Sequence, residues 1–141
     1  MVEIRIHGRF GQPIGAIAKK IGNYALKEGY ETQVFNAFAA IRPGSPTNSV
    51  IRVDTEKIIE RSAQETKPDI VVVLDNSLFT AANVFKGLKA GGKVMALNAD
   101  RSILGENSSK YSYEALDSYF ADDPSEIEGN IIKALKANAI F

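Results

Sequence analysis

The sequence predicts one α/β domain built as a three-layer, open, doubly wound sheet of mostly parallel strands. Three observations predict it. Strand-like and helix-like periodicities alternate along the whole chain, without repeats or low-complexity tracts. Residues 69–74 (DIVVVL) form an unbroken apolar run, the pattern of a central parallel strand covered on both faces. A second run, residues 93–98 (KVMALN), follows after one helix-sized interval, which makes a βαβ unit. A length of 141 residues suits a single domain, 1–141.

Each element follows from its residues. In 2–7, Val2, Ile4 and Ile6 alternate with Glu3, Arg5 and His7, a strand with two unlike faces. A glycine-bearing turn, Gly8-Arg9-Phe10-Gly11-Gln12, leads to Pro13 at a first helical position. Ile14, Ile17, Ala18, Ile21, Ala25 and Leu26 then share one helical face, opposite Lys19, Lys20, Asn23 and Lys27, and Gly29 stops the helix. A strand over 31–35 enters a long ordered loop at 36–48, and a third strand is expected over 49–53. Residues 55–65 carry Ile58, Ile59 and Ala63 at helical spacing. After the run at 69–74, Asp75, Asn76 and Ser77 offer caps for a helix burying Leu78, Ala81, Ala82, Phe85 and Leu88. Residues 100–109 are polar and loop-like, and a weak strand or short helix lies within 110–120. Asp123-Pro124-Ser125-Glu126 has capping-box spacing ahead of a last helix with Ile127, Ile131, Ile132 and Leu135. The architecture is Rossmann-like.

Composition narrows the functions. Seventeen Lys and Arg balance 17 Asp and Glu, which argues against a nucleic-acid partner held by bulk electrostatics. No cysteine is present, so this chain ligates no iron–sulfur cluster and no thiolate zinc. His7 is the single histidine, so no His-rich metal site is available. No apolar run approaches the roughly 18 residues of a membrane span. With a strand pattern starting at Val2 and no signal-peptide core, a cytoplasmic location is expected.

Two loops stand out as binding candidates. A strand-to-helix turn aims backbone N–H groups and the positive helix end at an anion. The dinucleotide fingerprint does not fit, because Phe10 takes its middle glycine position and Asn36, not an acid, ends the second strand. A P-loop lysine is also missing. Gly8, Gly11 and Gly15 therefore serve either anion binding or tight helix–sheet packing. The second loop, Arg42-Pro43-Gly44-Ser45-Pro46, is either a phosphate or carboxylate contact or an exposed turn. His7 and Asp75 sit at carboxyl ends of strands, where open sheets bind ligands. Their plainest roles are a hydrogen-bonded structural group and a helix cap. Tyr111, Tyr113, Tyr119 and Phe120 fit either a core or an interface.

Taken together, these residues resemble the gamma subunit or domain of the 2-oxoacid:ferredoxin oxidoreductases, the pyruvate synthase group. His7-Gly8-Arg9-Phe10-Gly11-Gln12-Pro13 is similar to that family's HGRGGQG turn. Ile41-Arg42-Pro43-Gly44-Ser45-Pro46 is similar to its E-R-R-G-A-P loop. The block 68–75, with 87–92 behind it, is a third likeness, and the resemblance covers about 3–98. Phe10 and Pro13 stand where the family has glycines, and Pro43 replaces its second arginine.

The resemblance implies an accessory subunit without catalytic residues of its own. Family members interconvert a 2-oxoacid and coenzyme A with acyl-CoA and CO2. Thiamine diphosphate and iron–sulfur clusters belong to partner subunits, and a ferredoxin-type acceptor is served through the complex. By likeness, Gly8, Arg9, Phe10, Gly11 and Gln12 would cradle coenzyme A, with Arg42, Gly44 and Ser45 lining a second loop. A free-standing anion-binding module and a purely structural assembly subunit stay open as alternatives.

Overall fold

Six strands, β1 (Val2–Arg9), β2 (Glu31–Asn36), β3 (Pro46–Asp54), β4 (Ile70–Val73), β5 (Lys93–Ala96) and β6 (Ser112–Ala115), form one sheet in the order β2-β3-β1-β4-β5-β6. The computed structural model describes residues 1–9, 12–36, 46–56, 58 and 67–140. Phe10, Gly11, Arg42, Gly44 and Ser45, and most of the helix expected over 55–65, lie outside the described residues. β1, β4, β5 and β6 pair in parallel, whereas β3 runs antiparallel to both β1 and β2. Of the described strands, β3 alone is reversed, so the sheet is mixed and mostly parallel, as expected of an α/β fold.

Helices cover both faces. On one, α1 (Ile14–Lys27) and α4 (Ile127–Ala137) bury Ile17, Ile21, Ile131 and Leu135 against Ile4, Ile6, Val72 and Met95. α1 closes at Gly29, whose φ of 94° is free of a Cβ penalty. On the other face, Leu78, Val84, Leu88 and Leu104 pack on Val71, Val73, Val94 and Ala96.

Several boundaries differ from the expectations. β1 runs through Arg9, so Gly8 belongs to the strand and not to the turn. Pro13 caps α1 instead of opening it. β3 begins at Pro46, three residues before its expected start, because a strand's first residue tolerates a missing N–H. The helix expected over 78–88 is the single turn α2 (Leu78–Ala81): Ala82 is extended, at φ −148° and ψ 159°, and Gly87 is left-handed at φ 78°. Val84, absent from the expected apolar face, is fully buried, while Ala81 is exposed. Residues 100–109 are not loop but two short 3-10 turns (Arg101–Ser109). Within 110–120 the chain forms both β6 and a one-turn helix, α3 (Asp117–Phe120). α4 starts at Ile127 without a side-chain cap, because Asp123 is spent earlier: its Oδ1 accepts from Ser125 N at 3.2 Å and Ser125 Oγ at 2.6 Å.

The central strand holds the largest surprise. The two unlike faces of β1 are both buried, for Glu3, Arg5 and His7 are 2%, 5% and 6% exposed. Register explains how they are tolerated. Glu3 lies opposite Arg52 of β3, and Arg52 Nε donates to Glu3 Oε1 at 2.7 Å with both side chains almost fully buried. Arg52 also stands 4.9 Å above the Phe35 ring. Arg5 donates through Nε to His7 Nε2 at 2.7 Å and through a terminal nitrogen to the Val84 carbonyl at 2.8 Å. A polar strip thus continues the second apolar cluster across the sheet.

Candidate functional site

The chain leaves β1 through α1 towards β2 and β3, whereas β4, β5 and β6 extend the sheet on the other side of β1. Such a divergence opens a crevice at the carboxyl ends of the two neighbouring strands, here β1 and β4. Arg9, at the end of β1, reaches across it. Its guanidinium donates to Ser77 Oγ at 3.1 and 2.7 Å and lies 3.4 Å from Asp75 Oδ2. Hydrogen bonds from Ser77, together with the Arg9 charge, hold the Asp75 carboxyl below the usual carboxylate range, so Asp75 is ionised. Asp75 does not cap α2 as expected, since that helix's N-cap is Ser77, without a side-chain cap bond; Asp75 instead accepts from Ser77 N at 3.0 Å and Ser77 Oγ at 2.6 Å just before the helix, and also anchors Arg9.

Beside Arg9, the described residues of the turn bond to one another. Arg9 N donates to Gln12 Oε1 at 2.8 Å, Gln12 N donates to Arg9 O at 3.0 Å, and Ile14 N donates to Gln12 O at 2.8 Å. Gln12 is exposed, so its amide oxygen occupies a position on the Arg9 N–H that another oxygen acceptor could take. Gly8 has a packing reason to be glycine: a Cβ there would lie 2.7 Å from Ile14 Cγ1 and Gln12 Oε1, and closer still to Ile14 Cδ1. Of the residues expected to form the first cradle, Gly8, Arg9 and Gln12 thus come together.

His7 stands one residue before this turn as a buried structural group. Because Nε2 accepts from Arg5, the ring proton sits on Nδ1. Burial, with the Arg5 charge adding to it, pushes His7 down from 6.5 to about 3. A histidine with a depressed folded-state value costs nothing above pH 6.5, where the unfolded ring is neutral as well. As pH falls from 6.5 towards 3, the unfolded chain binds a proton that the folded chain refuses. Stability is expected to drop there by up to about 1.4 kcal/mol per pH unit. Carboxylates titrate lower, so urea midpoints between about pH 6.5 and 5 isolate this one histidine. His7→Gln, which keeps an acceptor for Arg5, should flatten the curve. An equal slope in wild type and variant would remove the assignment.

Next to the crevice, on the α1 side of the sheet, lies a cavity of about 380 Å³. Its walls are mostly apolar, from Pro13 and Ile17 of the α1 start, Leu74 and Leu97 after β4 and β5, and Phe120 and Ile127. Gln12, Asn98 and Asp117 supply its polar groups. Asn98 N donates to Asp117 Oδ1 at 3.0 Å, and Asn98 O accepts from Asn76 Nδ2 at 2.8 Å. Asn98 holds a left-handed φ of 55°. Sequence reasoning named Ser77 only as a helix cap and missed Asn98 and Asp117. The strand-end rule that singles out His7 and Asp75 would have found Asn98, which follows β5. Of the aromatic residues left undecided, Phe120 is buried in the core and the three tyrosines are partly buried within the chain: Tyr111 stacks on Phe85, Tyr113 Oη donates to Ala99 O at 2.6 Å, and Tyr119 Oη meets Glu114. Among the described residues no group of His, Asp or Glu could hold a metal, and no helix is long and apolar enough to cross a membrane.

Comparison with known proteins places this arrangement. The sequence pattern of the pyruvate ferredoxin/flavodoxin oxidoreductase family matches residues 3–140, running beyond the blocks quoted above. A pyruvate/ketoisovalerate oxidoreductases common subunit gamma from Thermococcus kodakarensis is 41% identical over 102 residues, covering 72% of this chain and 54% of that protein. Pyruvate synthase subunit PorC of Methanothermobacter marburgensis is 37% identical over 115 residues, covering 82% of this chain and 64% of the relative. The chain thus spans little more than half the length of the curated relatives it matches. Among solved structures, pyruvate oxidoreductase subunit PORC from Thermotoga maritima superposes with a TM-score of 0.61 at 26% identity, over 92% of this chain and 70% of that one. On this match the chain belongs to the pyruvate ferredoxin/flavodoxin oxidoreductase family, alongside its gamma subunits.

Proposed function

We propose that this chain works as the gamma-type subunit of a 2-oxoacid:acceptor oxidoreductase, helping to hold coenzyme A and to close the active site. The overall reaction converts a 2-oxoacid and coenzyme A, with two electrons passed to a ferredoxin-type acceptor, into acyl-CoA, CO2 and a proton, or runs in reverse. Thiamine diphosphate and the iron–sulfur clusters sit in partner subunits. That division agrees with a chain that has no cysteine. Coenzyme A, when bound, supplies the thiol that accepts the acyl group.

The observation that carries the reading is the donor set at the β1–α1 turn. Arg9 brings a guanidinium and a backbone N–H, both already engaged by oxygen acceptors, Ser77 Oγ and Gln12 Oε1. A phosphate oxygen would take the place of Gln12 Oε1 once that exposed side chain swings aside. No acid, base or nucleophile is assigned to this chain; its part is to bind, orient and exclude water.

The test starts with the complex purified from its native source at native abundance. Larger subunits carrying thiamine diphosphate and iron–sulfur absorbance are expected to travel with this chain. Elution alone, as a folded small protein, would overturn the reading. In the intact complex, Arg42→Ala is expected to weaken coenzyme A binding about tenfold, the loss of one charge-assisted hydrogen bond. If instead the variant loosens assembly and leaves coenzyme A affinity unchanged, the subunit is purely structural. The anchoring of Arg9 by Asp75 is what favours that second reading.

A further inference from the structure

We infer that the outer face of the β4–β5 crossover, an aromatic cluster edged by lysines, docks an acidic amphipathic helix of a partner subunit. The inference rests on the subunit reading above and adds to it a surface and the chemistry of what covers it.

The crossover gives the first argument. A parallel strand pair is ordinarily joined by a full helix laid over both strands. Here α2 is a single turn, and residues 82–92 return to β5 without a further helix. The layer over Val71, Val73, Val94 and Ala96 is therefore completed by rings: Phe79, Phe85 and Tyr111 pack on that cluster yet are only partly buried. Phe85 touches both others, with ring centroids 5.9 Å from Phe79 and 5.8 Å from Tyr111, the second pair stacked within 8°. Side chains three or four residues apart on a helix lie about 5–6 Å apart, so successive turns of an incoming helix match neighbouring rings. Partly exposed aromatic side chains of this kind are the anchors at the centre of protein interfaces.

Charge gives the second. Backbone bonds gather three segments at the amino ends of β4, β5 and β6. Lys89 N donates to Pro68 O at 3.1 Å, Gly91 N to Lys110 O at 2.9 Å and Ser112 N to Gly92 O at 3.0 Å. Lys67, Lys86, Lys89 and Lys110 on these segments are all exposed. Asp69, bonded to Lys89 Nζ at 3.1 Å, is the one carboxylate within 67–69, 85–92 and 110–112. Lys86 follows Phe85 and Lys110 precedes Tyr111, so two of the cations flank the stacked pair. In a chain whose 17 basic and 17 acidic residues cancel, this local excess is complementary to an acidic partner. An apolar stripe on the helix meets the rings, and carboxylates beside that stripe meet Lys86 and Lys110.

The test uses the complex purified from its native source. Carbodiimide, which joins a lysine to a carboxylate without a spacer, is expected to link Lys86 and Lys110 to Asp or Glu residues within one segment of a single partner subunit. Both lysines should react with acetic anhydride several-fold more slowly in the complex than in the isolated chain. Lys86→Glu with Lys110→Glu alters two exposed side chains outside the core, and should weaken reassembly with the partner subunits about tenfold, the worth of two rim ion pairs. Lys86→Arg with Lys110→Arg should assemble as the wild type does. Equal lysine reactivity in the complex and the isolated chain, or unchanged assembly of the charge-reversed chain, overturns the inference and leaves the subunit reading standing. Links to a second copy of this chain overturn it in favour of self-association. Protection that nuclease removes overturns it in favour of a nucleic-acid strand. A chain that elutes without partners overturns both readings at once.

Discussion

Arg52→Met is expected to destabilise the chain by about 4 kcal/mol, the cost of leaving a buried carboxylate without its partner. Glu3 has nowhere to turn for relief. Its side chain is 3% exposed, Oε1 takes its hydrogen bond from Arg52, and Oε2 takes none. Removal of Arg52 leaves both oxygens dry. Its cation over Phe35 and its contact with Gln33 Oε1 at 3.4 Å go as well. The double replacement Glu3→Leu with Arg52→Met should regain most of the loss, because an apolar pair has no desolvation penalty to offset. Urea unfolding of the wild type, both single variants and the double variant gives the coupling directly. Additive losses would show that the pair is not coupled and that the single-variant cost is packing alone.

The second large effect is expected at Gly8. Gly8→Ala should cost about 3 kcal/mol, the upper end of overpacking penalties, because the added methyl meets the buried Ile14 as well as the mobile Gln12. Ile14 opens α1 and is 2% exposed, so the displaced side chain presses on the surrounding core. Gln12 can move, but doing so releases Arg9 N from its acceptor. The midpoint of urea unfolding should fall without a change in its slope. This variant separates the two readings that sequence alone leaves level. If Gly8 exists only to let an anion approach the backbone, stability would be untouched and only ligand affinity would fall. A large loss of stability in the unliganded chain identifies a packing glycine.

Local chemistry made part of this fold legible. α1 was visible to within about a residue because its apolar spacing and its terminal glycine agree, although Pro13 sits one position earlier than expected and Leu26, read onto the apolar face, is exposed. β4 and β5 were visible because strands buried on both sides carry their burial in composition. β1 was legible as a strand, but the burial of its polar face was not, for a physical reason. Alternating charge reports exposure only when the polar face meets water, and here it meets Arg52, which lies 49 residues away in sequence. Nothing at Glu3, Arg5 or His7 announces that partner. α2 was overextended because Phe85 and Leu88 do serve the core, but from turns and not from a helix. At the site, Arg9 and Gln12 could be named from the turn that carries them. Ser77 and Asp117 could not, since their roles depend on which strand ends the sheet order brings side by side.

The polar strip along β1 also bears on how the chain is made. Ribosomal synthesis delivers β1 before any of its partners. Glu3 waits for Arg52, at 49 residues' separation, and for Asp69, at 66. Arg5 waits for the Val84 carbonyl, at 79. Until that stretch has cleared the exit tunnel, every compact arrangement of the nascent chain must either bury an unmatched charge or leave β1 in water. Contacts so distant in sequence also slow the search once the chain is free. A nascent chain stalled before Val84 is therefore held open by its own first strand, and becomes a substrate for chaperones and proteases instead of a partly folded domain.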